Sequence, residues 1–177
     1  MSEGEALNET VIHVRYGEAD EMGVVHHSVY YQWFEVARFE FARRVIGLGI
    51  EQLRAKDVYL PVRESHCRYL LPVRFPGRVV VAVTVELDWR AMFRAHHRAW
   101  LTDAGQARRL VAEAETLHVF VDGAGRLLHR IPPFIRDALL LAVKRHPILF
   151  TGVEAFLSTY GPGGHYGPQA DAACSME

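Results

Sequence analysis

The residue types best suited to chemistry gather in one short segment, residues 14–30. Asp20, Gly23, His26 and His27 stand within eight residues of one another there, just before a predicted helix. A carboxylate in that place can attack a carbonyl carbon or activate a water molecule for the attack. The segment therefore predicts a site for acyl-transfer chemistry centred on Asp20.

The start of the following helix would supply the second requirement, a group that binds an oxyanion. The first backbone N–H groups of a helix have no partner within the helix, and its dipole favours negative charge there. These donors could hold the oxyanion that forms when a thioester carbonyl is attacked, and Gly23 would let the backbone approach the substrate closely. The spacing alone is equally compatible with Asp20 as a turn or capping residue and with histidines that are simply exposed.

A long helix is predicted over residues 28–46, with Ser28 as its N-cap and Gly47 and Gly49 as its stop signals. Apolar residues recur along it at spacings of three and four and form one stripe: Tyr30, Phe34, Ala37, Phe41 and Val45. Further aromatic residues widen the apolar surface beyond this stripe. We therefore expect other elements to surround the helix on most sides.

Five strands are predicted around this helix. The clearest covers residues 79–90, in which one face holds Val79, Val81, Val83, Val85, Leu87 and Trp89 and the other holds Thr84, Glu86, Asp88 and Arg90. The other four are expected over residues 10–16, 58–71, 93–102 and 110–121. Because most of the strands follow one another directly, antiparallel pairing is favoured. The predicted fold class is α+β, with a five-stranded antiparallel sheet curled around a long central helix.

Residues 1–146 are expected to form one domain, which ends in a helix from Pro132 to about Arg145. A turn at Asp103–Gln106 joins the last two strands. From His146 the composition changes, and residues 147–177 are predicted to be a C-terminal extension. Glycine, proline and alanine dominate the last fifteen or so residues, which we expect to be flexible.

The bulk composition excludes several classes of partner. The formal net charge is -1, which gives no electrostatic reason to expect binding to nucleic acid or to an anionic membrane. The first ten residues lack the apolar stretch of a signal peptide, and no apolar run is long enough to span a bilayer, so a cytoplasmic location is expected.

No metal or other cofactor is expected. The 2 cysteines, Cys67 and Cys174, are too few and too far apart for a disulfide framework or a zinc site. His96 and His97 are adjacent in a predicted strand, so their side chains point to opposite faces and cannot easily share one ion.

The segment around Asp20 also resembles a known family. The pattern Arg15-Tyr16-x-x-x-Asp20-x-x-Gly23-Val24-Val25-x-His27-x-x-Tyr30, continued by Phe34-Glu35-x-Ala37-Arg38, is similar to the signature of the 4-hydroxybenzoyl-CoA thioesterase and YbgC-type hotdog family. The resemblance implies a hotdog fold, a homodimer or homotetramer with active sites at the dimer interface, and hydrolysis of acyl-CoA or acyl-carrier-protein thioesters without a metal.

The resemblance also implies roles for individual residues. Asp20 matches the catalytic carboxylate, a nucleophile or general base, and His27 matches a histidine that assists it. The residues expected to bind substrate are Gly23, Val24, Val25, His26, Tyr30 and, for the phosphates of CoA, Arg90. Backbone N–H groups around the helix start are the expected carbonyl-polarising donors.

Two departures from the family pattern concern polar helpers. Val29 stands where the hydroxybenzoyl branch commonly has asparagine, and Ala91, Met92 and Phe93 offer no hydroxyl where some members place serine or threonine. A different hotdog branch keeps its catalytic acid on the central helix, where Glu35 stands; here we expect Glu35 to pair with Arg38 instead.

Two other functions stay open from the sequence. A hotdog dehydratase or hydratase would need an Asp-x-Asn-x-x-His arrangement, which the chain lacks. A non-catalytic hotdog module that binds an acyl thioester or serves in assembly is the second alternative. The combination of Asp20, Gly23 and His27 argues against such a module, and the missing hydroxyls near Met92 argue weakly for it.

Overall fold

The computed structural model describes residues 6–88, 90–102 and 107–165. One sheet and one long helix, α1 (Val29–Phe41), form its centre. The strands, in chain order, are β1 (Glu9–His13), β2 (Val62–Tyr69), β3 (Arg78–Leu87), β4 (Met92–Leu101), β5 (Arg109–Val119) and β6 (Phe150–Thr151). The remaining α-helices are α2 (Ile50–Ala55), α3 (Pro133–Arg145) and α4 (Val153–Tyr160).

The main path of the sheet has the strand order β1-β3-β4-β5-β2, and every pair along it is antiparallel. The α+β class and the helix-on-sheet arrangement are confirmed, but the expected number of five strands is wrong. A sixth strand, β6, pairs parallel with β3, where Phe150 lies opposite Val85. It covers two residues only, which is too short for any alternation of apolar and polar residues to reveal it.

Helix α1 buries the predicted stripe. Tyr30, Phe34, Ala37, Phe41 and Val45 all belong to the core. The last of these lies in a π-helical continuation, Ala42–Ile46, which ends at Gly47 in the left-handed conformation, with φ of 80°. That conformation carries no steric penalty for glycine, so the predicted stop signal is confirmed.

Ser28 occupies the predicted N-cap position without capping the helix through its side chain. Its backbone is already helical, with φ of -69° and ψ of -24°, and its side chain makes no capping hydrogen bond. The hydroxyl lies instead 2.8 Å from Nδ1 of His26. The donors at the start of α1 are therefore not covered by a serine cap.

Strand β3 packs against α1. Its residues Val79, Val81, Val83, Val85 and Leu87 are buried, whereas Thr84 is half-buried and Glu86 is exposed. The predicted alternation is confirmed from Val83 to Leu87, whereas Val80 is buried together with Val79 and Val81. Trp89 and the predicted turn at Asp103–Gln106 lie outside the described residues.

The described part of the C-terminal extension folds back onto the sheet. Phe156 and Tyr160 of α4 are fully buried in the core. The turn before α4 contains Gly152 with φ of 68°, where a Cβ would collide with the carbonyl oxygen of Leu87. The proposed domain boundary at residue 146 stays a prediction, and residues 166–177 lie outside the described chain. No helix in the described residues is long and apolar enough to cross a membrane.

Candidate active site

The loop that carries Asp20 is closed at its base by backbone hydrogen bonds. The N–H of His26 donates to the carbonyl oxygen of Glu18 at 2.9 Å, and Ala19 and Val25 form an isolated antiparallel bridge. The N–H of Val25 donates in turn to the carbonyl oxygen of Val73 at 2.8 Å. These bonds fold residues 18–26 into a compact loop directly before α1.

Asp20 uses one carboxylate oxygen to hold this loop. Its Oδ1 accepts hydrogen bonds from the backbone N–H groups of Met22, at 2.9 Å, and Val24, at 3.2 Å. Its other carboxylate oxygen has no hydrogen-bond partner in the described part of the chain. Asp20 is therefore a turn residue through one oxygen and offers an unengaged anionic oxygen through the other.

Gly23 gives the loop its left-handed step, with φ of 70°. The guanidinium of Arg74 buttresses this step, because Nη1 donates to the carbonyl oxygens of Met22, at 3.0 Å, and Gly23, at 3.2 Å. Nothing in the sequence predicted that Arg74 contacts this loop. It lies about fifty residues from the loop, and only the folded sheet brings the two together.

The start of α1 presents an unpaired backbone donor. The N–H of His27 has no acceptor among the described residues, while its carbonyl oxygen accepts a hydrogen bond from the hydroxyl of Tyr69 at 3.0 Å. The His27 side chain is exposed, and its ring lies 4.1 Å from the ring of His26. Tyr69 was likewise not predicted, since it lies on β2.

The other predicted binding residues differ in exposure. Val24 is half-buried, whereas Val25 and Tyr30 are buried in the core. Burial raises the pKa of Tyr30 to about 12, and its ring packs against those of Trp33 and Tyr69. The packing of Tyr30 in the core thus fixes the position of the start of α1.

Arg90 lies in the connection between β3 and β4. Its guanidinium is exposed and pairs with the Asp88 carboxylate at 2.8 Å. This hydrogen bond raises the pKa of Arg90 and lowers that of Asp88 from their ordinary values. An exposed pair of this kind is weak, so a phosphate could compete with Asp88 for the guanidinium.

Comparison with known proteins identifies the family. The sequence profile of the thioesterase-like superfamily matches residues 14–139. The chain belongs to this superfamily. Homologues and structural neighbours are named thioesterases, so the predicted enzyme class, a thioester hydrolase, is confirmed.

Individual relatives agree with this assignment. The Bacillus subtilis protein named "Putative acyl-CoA thioesterase YneP" is 30% identical over 111 residues, which cover 63% of this chain and 77% of that protein. The crystal structure of the hypothetical protein TT1821 from Thermus thermophilus is 38% identical with a TM-score of 0.67, covering 76% of this chain and 98% of that one. A mutant of 4-hydroxybenzoyl-CoA thioesterase, solved with 4-hydroxybenzoyl-CoA, has a TM-score of 0.67 at 16% identity, covering 73% of this chain and 96% of that one, and so shows the shared hotdog fold.

The protein also contains a buried hydrogen-bond network of His97, Thr116 and His118, which the sequence did not predict. Nδ1 of His118 lies 3.2 Å from the carbonyl oxygen of Leu60, and its Nε2 lies 3.0 Å from Oγ1 of Thr116. The same hydroxyl lies 3.2 Å from Nε2 of His97. Because a carbonyl oxygen only accepts, we assign donation from Nδ1 of His118 to Leu60, from Thr116 to His118, and from His97 to Thr116.

Both histidines of this network, His97 and His118, are neutral at pH 7. Burial is the largest cause that lowers the pKa of His97 to about 3 and that of His118 to about 4, and the nearby charge of Arg38 lowers both further. His96 lies on the opposite face of β4, 3.2 Å from Glu86 and 3.3 Å from Glu115. The expectation that His96 and His97 point to opposite faces is confirmed.

A cleft of about 290 Å³ lies beside α1 and borders this hydrogen-bond network. Its wall includes Glu35 and Arg38 from α1 and Ser65 from β2. The expected ion pair between Glu35 and Arg38 is not formed at ion-pair distance, although the Glu35 carboxylate raises the pKa of Arg38 against the lowering effect of burial. The Arg38 guanidinium instead lies 4.5 Å from the centre of the Phe39 ring.

Proposed function

We propose that the protein hydrolyses acyl-CoA or acyl-carrier-protein thioesters at the loop before α1, with Asp20 as the catalytic carboxylate. One observation carries this proposal. Asp20 is fixed through Oδ1, keeps its second oxygen unengaged, and stands in a loop that leads directly to the unpaired N–H of His27. A positioned anion next to a backbone donor at a helix start is the arrangement that attack on a carbonyl needs.

In the proposed reaction, the thioester oxygen accepts a hydrogen bond from the N–H of His27, which stabilises the oxyanion. Asp20 either attacks the carbonyl carbon or takes a proton from a water molecule that attacks it. In the first route the C–S bond breaks, an acyl anhydride forms on Asp20, and water then hydrolyses it. In the second route water supplies the new C–O bond directly. In both, the thiolate leaves and gains a proton, which the side chain of His27 is placed to help transfer.

The surrounding residues shape the binding site. Gly23 and Val24 let the substrate approach the loop, His26 lines the helix start beside His27, and Val25 and Tyr30 fix that start from the core. We assign Arg90 to the CoA phosphates, because an exposed guanidinium can exchange its bond with Asp88 for bonds to phosphate.

The name of the Bacillus subtilis relative supports acyl-CoA as the substrate class. The 4-hydroxybenzoyl-CoA thioesterase structure supports only the fold, because its sequence identity is 16%. A carrier-protein thioester presents the same carbonyl and sulfur atoms to Asp20. The choice between CoA and a carrier protein therefore depends on surfaces outside the loop.

We further propose that the active unit is a homodimer or homotetramer. β2 ends the main sheet path, pairs only with β5 among the described strands, and leaves seven of its eight residues exposed. The unpaired edge of a strand of this length is a ready template for a second copy. The cleft beside α1 is lined by Ser65 of this same strand, so a partner chain would close it.

The proposal is tested by following free thiol release from a panel of acyl-CoA and acyl-carrier-protein thioesters. Wild-type protein is compared with Asp20→Asn and with Glu21→Gln, a matched change at the neighbouring exposed acid. We expect wild type and Glu21→Gln to hydrolyse some members and Asp20→Asn to lose most of that rate. Wild-type protein that binds thioesters of both kinds but hydrolyses none would overturn the proposal in favour of a binding module.

A further inference from the structure

Arg38 is a cation without a bound anion. Within the described residues its guanidinium has no hydrogen-bond or ion-pair partner, and its closest specific contact is the face of the Phe39 ring at 4.5 Å. Burial lowers the pKa of Arg38 from its ordinary value, yet a guanidinium stays protonated at neutral pH. Removing such a charge from water is unfavourable unless an anion or several acceptors compensate it.

The surroundings of Arg38 do not compensate this charge. Its charge contributes to the lowered pKa values of His97 and His118, so both rings stay neutral beside it. The carboxylate of Glu35 lies on the same cleft wall but not at ion-pair distance. The cleft therefore has room, about 290 Å³, beside a guanidinium that no carboxylate of the described residues pairs with.

The cleft continues the face of α1 that begins at the proposed reaction site. His27 stands at the helix start, and Tyr31, Phe34 and Arg38 follow at spacings of four, three and four residues, with the last three lining the cleft. The eleven positions from His27 to Arg38 correspond to about 16 Å along a helix. Helical side chains point back toward the N-terminus, so the guanidinium of Arg38 lies on the order of 10 Å from the helix start. An extended acyl chain of roughly six to ten carbons covers such a distance.

Resting on the proposed function, we propose that Arg38 binds a carboxylate at the far end of the acyl group. The preferred substrates are then monothioesters of dicarboxylic acids of medium length. The thioester carbonyl lies at the His27 N–H, the chain follows α1, and the terminal carboxylate accepts paired hydrogen bonds from the guanidinium. Ser65 offers a hydroxyl group on the wall of the cleft.

A carboxylate for Arg38 has a second source, an acidic side chain of a partner subunit across the β2 edge. The experiment separates the two. We would measure kcat/KM for suberyl-CoA and octanoyl-CoA, which share eight carbons and differ in the terminal carboxylate, with wild type, Arg38→Gln and Arg38→Lys. Arg43→Gln is the matched control, because Arg43 is an exposed cation in the π-helical continuation of α1.

We expect wild type and Arg43→Gln to prefer suberyl-CoA by about tenfold to a hundredfold, the effect of one charge-assisted hydrogen-bond pair. Arg38→Gln should lose this preference while it keeps its rate with octanoyl-CoA, and Arg38→Lys should keep part of it. If Arg38→Gln does not fold, the wild-type preference and its reduction in Arg38→Lys decide the question.

Two results would overturn the inference. If wild type hydrolyses octanoyl-CoA as well as suberyl-CoA, and Arg38→Gln slows both equally while sedimentation shows loss of the oligomer, the carboxylate belongs to the partner subunit. In that case the proposed function stands and only the assignment of Arg38 fails. If wild type hydrolyses no thioester of any class, the proposed function fails together with this inference.

Discussion

At the scale of single residues, the loop before α1 combines two roles of Asp20 that are alternatives from the sequence alone. Asp20 is both a turn residue, through Oδ1, and a candidate catalytic carboxylate, through its second oxygen. The two hydrogen bonds to Oδ1 fix the carboxylate plane without engaging the other oxygen. A fixed anion loses little conformational freedom when it attacks, so the turn role supports the catalytic one.

Replacement of Gly23 by alanine should weaken the loop. An L-residue with φ near 70° is strained, and a Cβ at this position would approach Nη1 of Arg74 at 3.2 Å. We expect Gly23→Ala to cost about 1 kcal/mol of unfolding free energy and to lower kcat/KM more than stability alone explains. Gly17→Ala is the control, because a Cβ there meets nothing within 4 Å. Denaturant unfolding and thiol-release assays of both variants check this, and equal behaviour of the two would contradict it.

Tyr69 is expected to act as a positioning residue. Its hydroxyl donates to the carbonyl oxygen of His27, which orients the peptide bearing the unpaired N–H. Tyr69→Phe should lower kcat several-fold, change KM little and cost about 1 kcal/mol of stability. Tyr59→Phe, in which a comparably exposed tyrosine loses its hydroxyl, serves as the comparison. A Tyr69→Phe enzyme with unchanged kcat would remove Tyr69 from the site.

At the scale of elements, the predictable features are those that repeat along the chain. The stripe on α1 and the alternation on β3 each involve several residues at a fixed period, and each defines a buried face. The loop around Asp20 was predictable because its residues are close in sequence. In contrast, Arg74 and Tyr69 reach the loop only because β2 and its neighbours bring distant residues beside it.

The same reason explains what the sequence did not reveal on β4 and β5. His97, Thr116 and His118 meet because of the pairing between these strands, and nothing local distinguishes them from ordinary strand residues. The strand β6 escaped prediction for a different reason. Its two residues join β3 only because Gly152 allows the turn that packs α4 against the sheet.

The buried histidines predict how stability depends on pH. Their pKa values in the folded state, about 3 for His97 and about 4 for His118, lie below the ordinary value of 6.5. The unfolded chain therefore binds more protons below pH 6.5, and the folded state loses stability as pH falls from 6.5 toward 4 and 3. Each histidine steepens this loss by up to about 1.4 kcal/mol per pH unit.

Unfolding free energies measured between pH 7 and pH 4 test this dependence. His97→Gln should flatten it, whereas His129→Gln, at an exposed position, should leave it unchanged. The sign of the slope is itself diagnostic. A protein whose stability rises as pH falls through this range would show that the two rings are charged in the folded state.

At the scale of the whole molecule, the central question is how the exposed edge of the sheet is covered. Val62 and Tyr69 of β2 are 53% and 43% exposed, and the neighbouring Leu70 and Leu71 are similarly open. An exposed strand edge with apolar residues at both ends favours association of two copies. The cleft that contains Arg38 borders the same strand, so assembly and substrate binding are expected to be linked.

Sedimentation and hydrogen exchange test the assembly. We expect at least a dimer at micromolar concentration, with the outward N–H groups of β2 exchanging as slowly as those of the interior strand β4. On dilution, exchange in β2 should accelerate before exchange in β4. A stable monomer with fast exchange along one side of β2 at every concentration would exclude pairing through this edge.

The most direct test of the central role of Asp20 separates binding from chemistry. We would measure the Kd of an acyl-CoA that wild type hydrolyses, using Asp20→Asn, together with the single-turnover rate of thiol release. Asparagine can still accept the hydrogen bonds that hold the loop, but it lacks the charge and basicity of the carboxylate. We predict a Kd within a few-fold of the wild-type KM and a rate at least about a thousandfold lower. An Asp20→Asn enzyme that keeps a rate within tenfold of wild type would contradict this role.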